Sequence, residues 1–413
     1  MTSRIYYTDP YCRRFDAVVT TTFEREGRPA VFLDRTAFYP TSGGQPFDTG
    51  TLSVRGGASG STVDVLDTVD VDDEVVHVLS APLPEGAAVH GEVAWDRRFD
   101  HMQQHTGQHV LSAAFDRFFD NRTVSFHMGA ELSTIDLARD MPWEDIARAE
   151  AEANRIVWED REVAIRFVSS SEASTLPLRK EPARAGVLRL IDVKDFDLSA
   201  CGGTHVARTG AIGAIVVPAI EKFKGGARVT FVCGGRALRV FRTLRESVAG
   251  SVRALSVLPH ELPGAIERMQ AEARDLRRTI RTLQESLAAH ETARLAGEAG
   301  GAGQAGEAGR VIVEALDGWD ASGLKLIASG IARHASAAVA LFSASPPFAV
   351  VIARSGDVPV DANAVLRALT DRFGGRGGGK ADLAQGGGLD GDLVDICAAA
   401  RELLRGSART ANP

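Results

Sequence analysis

His101, His105 and His109 stand at steps of four in the segment HMQQHTGQH, in a chain of 413 residues with only ten histidines. On an α-helix a step of four returns to the same face after about one turn, roughly 5.4 Å. Neighbours in the trio can therefore share one ion, while the outer two stand about 12 Å apart. Imidazole and thiolate suit a borderline-soft ion such as zinc, which takes four ligands in a tetrahedron. A helical pair supplies half of that set. The other half is offered far downstream in SACGGTHV, where Cys201 and His205 are again separated by three residues and Gly202-Gly203 lets the backbone curl. Each half alone is a weak sign, since such pairs commonly sit in cores or on surfaces; together they are a strong one. Spacing leaves two questions open. The helical ligands are either His101 with His105 or His105 with His109, and a closed set of one cysteine and three histidines is compatible with a purely structural zinc.

The elements that must position these residues follow from pattern. Residues 1–95 contain short β-branched runs (DAVVTTTF, RPAVFLD, STVDVLDTV, EVVHVL) between Gly, Asp and Pro turns, which predicts a small barrel or sandwich. From Trp95 the pattern becomes helical, with Asp100 as N-cap and Val110, Leu111, Ala114, Phe115 and Phe118 as the apolar face. A second helix is expected over 142–160. EVAIRFVS, VLRLIDV, AIGAIVVPAI and ARVTFVCG read as strands, an unequal mixture that favours an α+β layer. Further on, Leu262, Ile266, Met269, Ala273, Leu276, Ile280, Leu283 and Leu287 alternate steps of four and three. That heptad seam suits a helical hairpin arm or a two-stranded coil, or else a helix packed on its own domain. AGEAGGAGQAGEAG then reads as a linker, and RVIVEAL, AAVALFS and FAVVIARS as strands of a last α/β unit, whose helix DANAVLRALTDRF precedes two glycine clusters.

Bulk properties narrow the function. Net charge is −7, with 14 acidic and 7 basic side chains in residues 1–95 and 40 of each in 96–413. The acidic excess lies wholly in the N-terminal part, so any nucleic-acid contact must use local basic patches. No run approaches the ~20 apolar residues of a membrane span. The start MTSRIYYTDP lacks the basic and apolar regions of a signal peptide, and four cysteines are too few for a disulfide framework. A cytoplasmic location with free thiolates is the expectation.

HTGQHVLSAAF and CGGTHV resemble the two zinc-binding motifs of the alanyl-tRNA synthetase editing domain and of its free-standing relatives, the alanyl-tRNA editing proteins. The resemblance implies one Zn2+ held by His105, His109, Cys201 and His205. FYPTSGGQPFDTG resembles that family's glycine-rich N-terminal motif, and GGRGGGKADLAQGGG its terminal domain, shared with DHH-type phosphoesterases. Four motifs in the family's order span nearly the whole chain. The implied fold is α+β: a β-barrel over 1–94, a zinc-containing editing domain over 95–245, a coiled-coil-like arm over 246–297, a linker over 298–310 and a C-terminal α/β domain over 311–413. The implied activity is hydrolysis of the ester joining a wrong amino acid, serine or glycine, to alanine tRNA. Because the barrel opens the chain, aminoacylation is not expected.

A pocket shaped for alanine cannot strongly exclude a close neighbour, so a second, hydrolytic sieve is useful, and a polar partner for the serine hydroxyl gives it selectivity. Thr41 and Gln45 are the expected recognition and water-placing residues, although a plain tight turn also explains Gly43-Gly44. His101 is then a proton carrier, a contact for the terminal adenosine or a bystander, and His127 poses a similar choice. Lys222, Lys224 and Arg228 around one turn, and Arg372, Arg376 and Lys380 threaded through glycine, are the expected phosphate contacts. Ordinary solvated turns are the plain alternative. No Ser or Thr follows Lys380, so GGGK is not a nucleotide P-loop. Homodimerisation through the last domain or the heptad arm is a further expectation. Two rivals remain: a DHH-type phosphoesterase, which leaves Cys201 and His205 unexplained, and a non-catalytic tRNA-binding module with structural zinc.

Overall fold

Six strands close into a barrel: β1 (Arg14–Arg25), β2 (Arg28–Leu33), β3 (Gly50–Val54), β4 (Thr62–Val71), β5 (Glu74–Leu79) and β6 (Ala88–Val93). In this computed structural model, which describes residues 2–55, 62–179, 186–298 and 310–409, the barrel order is β1-β2-β5-β4-β3-β6. Phe15, Leu33, Phe38, Leu52, Val65, Leu79 and Val89 fill its interior. The alternative of an open sandwich is thereby decided: closure needs β3 and β6, which pair with each other and whose Gly, Ser and His residues blur the sequence alternation.

Helix α1 (Trp95–Phe119) follows the barrel directly. It begins five residues before the expected cap: Asp100 lies inside the helix, where its carboxylate binds Arg236. Met102, Val110, Leu111, Ala114 and Phe115 bury one face of α1 in the largest core, alongside Ile146, Ala149, Ala153 and Ile156 of α2 (Trp143–Trp158). Two antiparallel sheets flank these helices. One has the order β12-β13-β8-β7, from β7 (Thr123–Met128), β8 (Ser133–Leu137), β12 (Ile215–Phe223) and β13 (Gly226–Cys233). The other is β9-β10-β11, from β9 (Val163–Ser169), β10 (Val187–Val193) and β11 (Asp197–Ala200). The expected strand at 211–220 starts only at Ile215, because Thr209–Ile212 form a 3₁₀ turn. Helix α3 (Gly235–Leu255) comes next.

The chain divides into two compact units, Met1–Ser251 and Val252–Pro413. In the second, α4 (Leu262–Glu298) packs Ala288 and Leu295 against α5 (Ala321–His334). The heptad positions Ile266, Met269, Leu276, Ile280, Leu283 and Leu287 stay 43–64% exposed, so the seam is not the face that packs on its own domain. A sheet of order β14-β15-β16-β18-β17 completes the unit, with β14 (Arg310–Leu316), β15 (Ala337–Ser343), β16 (Phe348–Arg354), β17 (Arg376–Gly379) and β18 (Leu383–Leu389), together with α6 (Ala362–Phe373) and α7 (Leu393–Arg409). The glycine clusters form the β17–β18 hairpin. A Cβ on Gly377 would lie 2.6 Å from the Gly386 Cα, so the glycines let the two strands approach. Residues 299–309 of the expected linker lie outside the described residues.

Candidate metal centre and active site

Two elements meet at the centre. Helix α1 presents His105 and His109 on successive turns, and the loop after β11 presents Cys201 and His205. One ligand atom from each of the four lies within 4.8 Å of every other, and the three imidazoles are 2–4% exposed. The Cys201 Sγ is 3.4 Å from the His105 Nε2 and 3.4 Å from the His205 Nε2. Donors around a tetrahedral zinc with bonds of about 2.0–2.3 Å stand roughly 3.5 Å apart. His101 is not part of the group, so geometry selects the later helical pair.

What holds the rings is as informative as the ring positions. The Nδ1 of His105 faces the Gln45 Oε1 at 2.8 Å, that of His109 the Asp197 Oδ2 at 2.8 Å and that of His205 the Thr106 Oγ1 at 3.2 Å. Thr106 donates its own proton to the Met102 carbonyl at 2.8 Å, leaving its oxygen to accept. Each Nδ1 thus has an acceptor, which fixes the tautomer and leaves each Nε2 lone pair for an ion. Asp197 is itself clamped by Arg179 at 2.6 Å and by Ser199 at 3.0 Å. Burial opposes the charge on Asp197, yet His109 and Arg179 hold its carboxyl well below the usual range. Burial likewise opposes the imidazolium of His109, but Asp197 and Cys201 push its pKa up to about 9, so an ion that takes the Nε2 lone pair displaces a proton there. Burial would raise the Cys201 thiol, and the surrounding His105 and His205 instead hold it well below its ordinary value, in the thiolate form a metal needs. One thiolate, three oriented imidazoles and a supporting carboxylate fit zinc.

Two arginines fasten the pieces. Arg98, fully buried, binds Asp48 and donates to the carbonyls of Pro10 and Ala37, tying α1 to the barrel loop that carries Gln45. Arg189 donates to the carbonyls of Cys201 (2.6 Å) and Gly203 (2.9 Å) and so shapes the ligand loop. A Cβ at Gly203 would lie 2.1 Å from the His105 Cε1, so only glycine lets this loop pass the helix so closely. Sequence reasoning missed Asp197, Arg179, Thr106 and Arg189. A carboxylate four residues before Cys201 was the one visible sign.

The cluster opens on a cavity of about 210 Å³ whose lining includes Tyr39, Ser42, Gln108, Ser125, Phe126 and Arg179. Gln45 does not line it. Wholly buried, it accepts from the Thr204 N–H (3.0 Å) as well as facing His105, and donates to the Thr204 hydroxyl (2.8 Å). Thr41 is exposed, and its Oγ1 accepts from the Phe47 N–H at 3.2 Å, bracing the turn in which Gly43 and Gly44 take φ of +56° and +85°. His127 is exposed on β7 outside the cavity lining.

The basic residues are placed unevenly. Arg228 is committed to Asp136 through bonds of 2.7 and 3.0 Å and lies over the Phe223 ring, and Lys222 reaches Asp140 at 3.2 Å. Lys224 occupies the turn with φ +47°. Arg372 lies in the last turn of α6, Arg376 begins β17 and Lys380 follows it, all three exposed. No helix of the described residues is long and apolar enough to cross a membrane.

The family profile for tRNA synthetases class II (A) matches residues 14–97, that for the threonyl and alanyl tRNA synthetase second additional domain matches 188–227, and that for the DHHA1 domain matches 308–406. The alanine–tRNA ligase of Pyrococcus abyssi is 32% identical over 93% of this chain, and that of Halorubrum lacusprofundi is 35% identical over 98%; the chain spans 42% and 44% of those ligases. The C-Ala domain of Aquifex aeolicus alanyl-tRNA synthetase, a solved structure, is 26% identical and overlays 22% of this chain and 89% of that domain with a TM-score of 0.21. The alanyl-tRNA editing protein AlaX-L of Pyrococcus horikoshii is 31% identical over 94% of this chain and 94% of its own length. By that full-length likeness, the chain belongs to the alanyl-tRNA editing protein family.

Proposed function

We propose that this protein is a trans-editing hydrolase that releases chiefly serine from mischarged alanine tRNA, does not itself charge tRNA, and uses one zinc ion held by His105, His109, Cys201 and His205. The observation that carries the reading is a buried cluster of four candidate ligands, with every imidazole oriented by its own acceptor, opening on a small cavity lined in part by Ser42, Gln108, Ser125 and Arg179. In the reaction a water oxygen bonds to the ester carbonyl carbon, the bond to the ribose oxygen breaks, and that oxygen takes a proton. Zinc, when bound, supplies a positive charge that orients the amino or hydroxyl group of the aminoacyl moiety.

The remaining work falls to the chain. Gln45 acts as a positioning residue for His105, and Thr41 as a brace for the turn that brings Ser42 to the cavity. Recognition of the extra hydroxyl of serine falls to the polar lining, chiefly Ser42, since alanine would leave such a group unpaired. Arg372 in the last turn of α6, with Arg376 and Lys380 on the C-terminal hairpin, all three exposed, hold tRNA phosphates, with Lys224 as the freest member of the other basic turn.

The test is deacylation of serine-, glycine- and alanine-charged alanine tRNA by the full chain and by Cys201→Ala. Release of serine, sparing of alanine and loss of activity in the variant are expected, and the glycine ester shows whether the pocket selects by the hydroxyl or by size. Tight binding of seryl-tRNA without release would instead make the protein a zinc-stabilised binding module.

A further inference from the structure

His101 has no part in the metal cluster, yet it is as buried as the ligands. It is 3% exposed, its Nδ1 is wholly enclosed, and no hydrogen bond engages either ring nitrogen among the described residues. A buried polar atom left without a partner is costly, so its persistence needs a reason. Its ring lines a second cavity, of about 380 Å³, together with Pro46, Arg97, Asp100, Arg236 and Arg239. Both cavities border one turn: Ser42 and Gly43 line the first and Pro46 the second. Along α1, His101 and His105 are one helical turn apart, about 6 Å for four residues. That is on the scale of a single nucleotide.

The charges in the second cavity are not self-cancelling. Asp100 is taken up by Arg236, whose Nε lies 3.0 Å from both carboxylate oxygens, and Arg236 also donates to the Gly129 carbonyl. Arg239 is 64% exposed and only 3.8 Å from Asp100 at its nearest, so its guanidinium is free to turn to a ligand. Arg97 spends its Nε on the Phe47 carbonyl and lies over the Phe47 ring, keeping its terminal nitrogens for the cavity. Asp96 is the other acid at the rim. Burial, then Arg97, Arg236 and Arg98, press the His101 pKa down to about 3, so the ring stays a neutral donor in a positive field.

We propose that this second cavity binds one backbone phosphate of the single-stranded RNA end that carries the ester, with Arg97 and Arg239 supplying charge and His101 an N–H. The proposal rests on the functional reading above and adds a phosphate anchor beside the reaction site. A phosphodiester fits better than a divalent cation because the cavity's acids are outnumbered and Asp100 is already paired.

The decisive experiment uses the full chain, Arg239→Ala and Arg97→Ala, with two readouts. In equilibrium binding of a short uncharged RNA ending in the tRNA 3′ segment, Arg239→Ala weakens Kd about three- to fivefold, and the slope of log Kd on log salt falls by about 0.7. In deacylation, KM rises by the same factor while kcat holds. A methylphosphonate at the contacted linkage costs the wild type that factor and costs Arg239→Ala nothing further. Wild-type Kd and salt slope in both variants overturn the proposal, as does competition by inorganic phosphate that leaves RNA binding untouched. Serine release with indifferent variants removes this anchor alone; the binding pattern without serine release removes the hydrolase reading and keeps the anchor.

Discussion

Replacing Gly203 by alanine puts one methyl group where the ligand loop crosses α1. The new Cβ would stand 2.1 Å from the His105 Cε1, 2.3 Å from its Nδ1 and 3.0 Å from the Gln45 Oε1. Carbon atoms rest about 3.5 Å apart, so ring and loop must separate by roughly 1.4 Å. Metal–ligand distances tolerate about 0.2 Å. The ring has little room to retreat, because Phe126 stacks on it at 5.4 Å between centroids. Either His105 leaves the ion or the loop withdraws Cys201. Disturbing only an outer partner costs about 10–100-fold in metal affinity, so losing a ligand exceeds about 100-fold. The overpacking itself costs about 1–3 kcal/mol of stability. Gly202→Ala is the control: its nearest neighbour would be the Tyr7 hydroxyl at 3.7 Å, an ordinary contact. Competition against a chelator of known affinity, with thermal melts of the metal-free proteins, measures both quantities. A folded Gly203→Ala protein that binds metal as tightly as the wild type would refute the ligand set.

Other outcomes follow from the same geometry. Asp197→Asn keeps the shape but removes the charge facing His109, and should lower zinc affinity about 10–100-fold in the same competition. His77, buried in the barrel against the Thr36 hydroxyl, has its pKa depressed by burial to about 4, from 6.5 when exposed. The unfolded chain therefore binds the proton first: the contribution is intact above about pH 6.5 and falls towards pH 4, by about 3 kcal/mol. Denaturant titrations across that window should show the loss, and His77→Gln should flatten it. Changing Arg372, Arg376 and Lys380 to alanine should weaken tRNA binding and reduce the salt slope by roughly 0.9 for each phosphate no longer neutralised, with kcat unchanged.

The four clustered side chains were legible in part: residue type and the step of four pointed to a histidine pair and a cysteine–histidine pair, but spacing left His101 or His109 open as the second helical member, and only the resemblance to the family's motifs implied His109. The groups that orient them were not, since Asp197, Thr106 and Gln45 reach their histidines over 88, 99 and 60 residues of intervening chain. Gln45 shows the limit well. Its place in a glycine-rich turn suggested substrate contact, whereas folding buries it and spends its amide on His105 and Thr204. Long β-branched runs such as VLRLIDV appear as strands with the bounds expected of them. RGGG, lacking side chains that prefer a strand, becomes one through its pairing with β18, a tertiary effect that local pattern does not carry. Asp100 failed as a cap because the helix starts earlier, and its charge is satisfied by Arg236, 136 residues away.

The most direct measurement is the rate of serine release from seryl-tRNA(Ala) by one preparation of the full chain, before chelation, after it, and after zinc is restored. The account predicts release that falls with the bound metal and returns at one zinc per chain. Undiminished release from metal-free protein would contradict it.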